Sequence, residues 1–159
     1  MKLWIIYKNG IGFSKIIAEL LQDRLEDYID VDVGNAKKID PGILTEEKFD
    51  YLIIGDIISK EIPSLEIQNW LLKFGAISNN NNFIVKLISG FYISSSDIKI
   101  EPLWGEFLLD NVKAEIFYPP ILQLKVNKAD FELEDGIFEL IKDYSNYFIE
   151  FLIEDKKKK

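Results

Sequence analysis

Asn9-Gly10-Ile11-Gly12-Phe13-Ser14 stands between a short apolar run and a helical pattern. Glycines there let backbone amides approach a ligand closely, and amides at a helix start attract anions, so a phosphate group is the natural guest. The Ser14 hydroxyl can donate to a phosphate oxygen or cap the helix. The bland alternative is a tight turn with a serine cap.

Much other chemistry is excluded by what the chain lacks. With no cysteine and no histidine, there is no thiolate, no imidazole base and no zinc site of the usual kind. No GK[ST] completes a Walker loop, and Lys15 stands where a dinucleotide fingerprint needs its third glycine. What remains is carboxylate chemistry, hard cations held by oxygen, or a cofactor that carries the reaction. The last is favoured, because Asp97, Glu101 and Glu106 have no spacing that fixes two of them about one reacting atom.

The elements that would position the loop follow from periodicity. Residues 3–7, 51–54 and 83–88 are compact apolar runs, as in strands buried on both faces, and 29–33 alternates with aspartate as an edge strand does. Helical spacing is visible at 14–28, after Pro63-Ser64, at 101–110 and at 133–153, with only a short crossover between 36 and 48. Strand pieces at 114–118 and 121–126 are separated by Pro119-Pro120, so that strand is interrupted or at an edge. The alternation predicts an α/β fold with an open, mainly parallel sheet and helices on both faces. Ligands of such sheets sit outside the carboxyl ends of the strands. Besides the first loop, residues 56–61 and 89–96 are expected there, the strands being taken to stop at Gly55 and at Ser89-Gly90.

Composition supports one ordered domain over residues 1–154, with 155–159 a solvated lysine tail. The chain has 159 residues, 48% hydrophobic and 13% aromatic, enough for a core. Its 19 basic and 27 acidic residues give a net charge of -8, which disfavours nucleic acid as a partner. The apolar run at the N-terminus is far shorter than the roughly 20 residues that span a bilayer. A cytoplasmic protein without a membrane span is expected.

The first loop, on Asn9, Ile11, Gly12, Phe13 and Ser14, resembles the phosphate loop of the flavodoxin family, which has the form S/T-x-T-G-x-T. The YKNGIGFSKIIAELL context, the IIGDII segment and the order of elements resemble that family too. The resemblance implies a flavodoxin-like three-layer sandwich with strand order 2-1-3-4-5, and FMN as cofactor. Its phosphate would lie on Asn9, Gly10, Ile11, Gly12, Phe13 and Ser14. Its ring would lie between a loop with Asp56, Ile57 and Ile58 and a loop with Ser89, Gly90, Phe91 and Tyr92. Phe91 and Tyr92 are expected to stack near the ring. Asp56 would place negative charge beside it and lower its reduction potential. Trp104 could close the pocket, although a tryptophan at a helix start is more often core.

Within the family, the form of residues 55–58 and the short second crossover look more like the protoporphyrinogen-oxidase-type branch than the electron carriers. The implied activity is electron transfer, or oxidation of a small-molecule substrate, with a redox protein as possible partner. Threonines are missing at positions 9 and 11. The alternative reading is therefore a flavin-free module of the same fold that works through protein contacts.

Overall fold

Alternate side chains of the central strands go to opposite faces of one sheet, and both faces are apolar. A computed structural model of the chain describes residues 1–10, 12–95, 103–127 and 132–158. Its strands are β1 (Lys2–Tyr7), β2 (Asp30–Asn35), β3 (Tyr51–Ile57), β4 (Val85–Ser95), β5 (Ala114–Phe117) and β6 (Leu122–Val126). Its helices are α1 (Phe13–Leu25), α2 (Pro41–Glu47), α3 (Leu65–Asn80), α4 (Leu103–Asn111) and α5 (Ile137–Lys157).

The sheet order is β2-β1-β3-β4-β5, with β6 also paired to β4, and every strand pairing is parallel. This is the flavodoxin-like α/β arrangement. Leu3, Ile5, Tyr51, Ile53, Phe91 and Ile93 pack against the apolar stripes of α1 and α5. Trp4, Ile6, Leu52, Ile54, Ile88 and Tyr92 pack against α2, α3 and α4. A strand covered on both sides has no solvent face to keep polar, which is why these runs do not alternate.

The strands run past the glycines expected to end them. Gly55 lies inside β3 opposite Phe91, and Gly90 lies inside β4 opposite Ile54. A β-carbon on Gly55 would stand 2.1 Å from the ring Cζ of Phe91, and one on Gly90 would stand 2.6 Å from Cη2 of Trp104. Both glycines therefore make room for an aromatic ring on the sheet surface, a second meaning of glycine in a strand. β2 lies on the sheet's edge as expected, and it includes Gly34 and Asn35 beyond the 29–33 run.

The fifth strand position is broken, as the prolines require. β5 pairs with the first part of β4 and β6 with the last part. At the gap, the Ser89 hydroxyl donates to the Pro119 carbonyl at 2.7 Å, and the Tyr144 hydroxyl of α5 donates to Ser89 at 2.6 Å. Residues without an N–H cannot join the ladder, so a buried serine satisfies the carbonyl there.

The boundary expected at residue 154 gives way. α5 continues to Lys157, and the buried Asp155 carboxylate accepts from the Tyr51 hydroxyl at 2.6 Å and pairs with Lys86. Burial and this carboxylate both push the Tyr51 hydroxyl pKa upward.

Candidate functional site

The carboxyl ends of β1 and β3 carry two loops that diverge at the centre of the sheet. The Lys8 amide still donates to the Gly55 carbonyl at 2.9 Å, so the first loop starts fixed to β3. Gly12 then turns the chain with φ 102 and caps α1 without a side-chain hydrogen bond. An L side chain rarely adopts that φ, so this glycine is required by conformation.

Ser14 is buried, and its hydroxyl donates to the Lys8 carbonyl at 2.5 Å. It braces the loop from within. The Asn9 amide donates to Glu66 Oε2 at 2.7 Å, reaching the first turn of α3, while Asn9 Oδ1 accepts from Asn35 Nδ2 at 2.7 Å. Asn9 thus joins the ends of β1 and β2 to α3. Phe13 is half-buried against the α1–α5 side of the core. Ile11 lies outside the described residues.

Two clefts flank this loop. One, of about 420 Å³, lies toward β2 and is lined by Asn9, Gly10, Gly12 and Ser14 together with Lys8, Lys15, Asn35 and Lys38. Three lysines line it, and no aspartate or glutamate does among the described residues. In a protein of net charge -8 that is a local reversal of sign. The other cleft, of about 350 Å³, lies toward β3 between Lys8 and the 57–65 segment, with Ile57, Ile58, Ile62 and Pro63 as its apolar wall. Lys8 borders both, and its Nζ donates to the Ile57 carbonyl at 3.4 Å. A third cleft, of about 610 Å³, continues past Lys38 to Glu66, Trp70 and Lys73.

The other expected site residues are elsewhere. Asp56 is fully buried in β3 and accepts from the Ile57 amide, from the Ser64 amide and hydroxyl, and from the Trp104 indole. Burial raises its pKa, and the Ser64 and Trp104 hydrogen bonds pull the other way. Among the described residues it lines none of these clefts; it ties the start of α3 and the α4 indole to the sheet. Ser89, Gly90, Phe91 and Tyr92 are interior residues of β4, not a loop. Phe91 covers Gly55, and Tyr92 meets Trp104 edge-on at 5.3 Å. Trp104 is core, as its type suggested. Ser96, Asp97 and Glu101 fall outside the described residues.

The structure thus gathers Asn9, Gly10, Gly12 and Ser14 on one cleft and Ile57 and Ile58 on the next. It adds Lys8, Asn35, Lys38 and Glu66, which sequence reasoning passed over. Lys8 adjoins the glycine loop. The parallel pairing of β1 with β2 brings Asn35 beside it, a placement that follows once strand order is assumed.

No protein-family profile matches the chain, and no curated protein matches its sequence. Solved structures do. A flavodoxin from the domain Archaea superposes with a TM-score of 0.71 at 16% identity, covering 98% of this chain and 99% of that one. Oxidised Flavodoxin 2 from Bacillus cereus gives 0.72 at 17% identity, covering 94% and 99%. The rubredoxin oxygen:oxidoreductase of Desulfovibrio gigas gives 0.72 at 14% identity; this chain covers only 36% of its length. At such identities the likeness is one of fold.

Proposed function

We propose that this chain is an FMN-binding flavodoxin-like redox protein. The observation that carries the reading is the lysine-bordered cleft beside the glycine loop, at the sheet's switch point, in an otherwise acidic molecule. The residues fit the cofactor's two ends. Lys8, Lys15 and Lys38 would neutralise the phosphate, with Gly10 and Gly12 allowing close approach. Ile57, Ile58, Ile62 and Pro63 offer an apolar wall for the flat ring and shield it from water on that side.

Bound FMN would accept and pass electrons singly or as hydride. The chain's own part is positioning and electrostatics: Gly12 sets the turn, Ser14 braces it, and Asp56 holds the second loop through Ser64. The acidic surface would favour a basic redox partner in the cytoplasm, with encounters weakened by salt. Among the described residues no helix is long and apolar enough to cross a membrane.

The test is a visible spectrum of purified protein followed by FMN titration read by fluorescence quenching. Saturable binding of a reducible flavin supports the reading, and no binding at millimolar FMN rejects it. The finer assignment, to protoporphyrinogen-oxidase-type oxidation, is supported by the brief crossover in which α2 has only 7 residues. Anaerobic turnover with porphyrinogens tests it. A flavin-free module working through protein contacts is the second reading. Its support is that the Asn9 amide and Ser14 hydroxyl already have partners within the chain.

A further inference from the structure

The Asn9 amide belongs to the loop that would receive a phosphate, yet a carboxylate oxygen of the chain itself sits on it at 2.7 Å. That carboxylate, Glu66, is half-exposed in the first turn of α3 and borders the third cleft, next to Lys38 and Lys73. The lysine-bordered cleft opens from the same loop on its β2 side. An incoming dianion would meet ammonium groups there and a fixed negative charge at Asn9.

We propose that Glu66 is an internal occupant of the anion loop, and that a phosphate-bearing ligand binds against it or by displacing it. Glu66 then sets the loop's affinity for phosphorylated ligands and leaves uncharged ones untouched. The inference rests on the FMN reading for the identity of the ligand, but not for the competition itself. The physical basis is that one carboxylate on one exposed amide is a weak contact, whereas a dianion can meet several ammonium groups and amides together. Repulsion from a like charge held on the same loop still lowers the dianion's net gain.

The experiment compares the full chain with Glu66→Gln, which keeps an acceptor for the Asn9 amide and removes the charge, and with Glu66→Ala, which frees the amide. FMN, riboflavin and inorganic phosphate are titrated into each, with fluorescence for the flavins and amide NMR shifts of Asn9, Gly10 and Gly12 for phosphate. Thermal melts confirm that each variant is folded. Glu66→Gln is expected to bind FMN about tenfold more tightly, with riboflavin unchanged. Phosphate affinity should rise in both variants. Equal or weaker FMN binding by a folded Glu66→Gln overturns the inference while leaving the FMN reading intact. If FMN binds none of the three proteins, the FMN reading fails, and the phosphate titration decides the inference alone. Tighter phosphate in the variants then upholds it, and unchanged or absent phosphate binding overturns it.

Discussion

The indole N–H of Trp104 donates to the Asp56 carboxylate at 3.0 Å, and neither residue has any exposed surface. A carboxylate out of water must collect donors, and Asp56 does so from three segments at once: its own strand, the α3 cap and α4.

The pKa of Asp56 is raised by burial, so the folded state holds the proton more tightly than the unfolded chain does. Its contribution to stability is then fullest below the ordinary aspartate range and is lost as pH rises through the raised folded value. Urea unfolding of the native protein and Asp56→Asn between about pH 4 and 7 should show the native protein's advantage shrinking as pH rises. A pH-independent gap would contradict this.

Gly55→Ala and Gly90→Ala should each destabilise the fold by about 1–3 kcal/mol through overpacking. They should differ in rescue. The three atoms nearest a β-carbon at Gly55 all belong to the Phe91 ring, so Phe91→Leu in the same chain should recover part of the loss. At Gly90 an added methyl also meets the Ile54 carbonyl at 2.9 Å, so trimming Trp104 should recover little. Double-mutant denaturation cycles read the contrast.

Ser89→Ala should cost more than Tyr144→Phe, about 1–3 kcal/mol, because it strands both the Pro119 carbonyl and the Tyr144 hydroxyl. The double variant should cost less than the sum. Additive costs in chemical denaturation would mean the three groups do not act as one chain.

Gly10→Ala should leave stability almost unchanged, since its β-carbon meets only Ile57 Cδ1 at 3.8 Å. Gly12→Ala should lose roughly 1 kcal/mol or more, having open space around it but a φ of 102. Thermal melts of the two variants separate space from backbone conformation. Equal shifts would reject the distinction.

Asp155→Ala should lower stability by about 1–3 kcal/mol by leaving the largely buried Tyr51 hydroxyl without its carboxylate. Glu154→Ala, at an exposed position, is the control and should stay within about 0.5 kcal/mol in the same assay.

The open parallel sheet with β2 at its edge was legible from which runs are wholly apolar and which alternates with aspartate, while the full strand order was implied by the resemblance to the flavodoxin family. Those patterns are set by burial of entire strands, and a few residues do not change them. Strand ends were misjudged at Gly55 and Gly90 for one reason: a glycine in a list of residues does not say whether the backbone turns there or a ring presses on it. That confusion moved Asp56, Ser89, Gly90, Phe91 and Tyr92 from core to loop. The first loop was found because glycines, a strand and a helix stand consecutively there. Its partners were missed because Asn35, Lys38 and Glu66 meet it only across crossovers, where chain spacing carries no distance.

The two rims of the sheet have a consequence for life in a crowded solution. An open edge invites a strand from a neighbouring molecule. On one side β2 presents Asp30 and Asp32, which keep charge along the rim. On the other, β5 and β6 offer runs of only 4 and 5 residues, parted by two prolines that have no N–H to share. The chain returning after β6 adds further cover, with the Glu134 backbone amide donating to the Lys125 carbonyl at 3.0 Å. The prolines that break the fifth strand thus act outward as well: they make this edge a poor template for self-association.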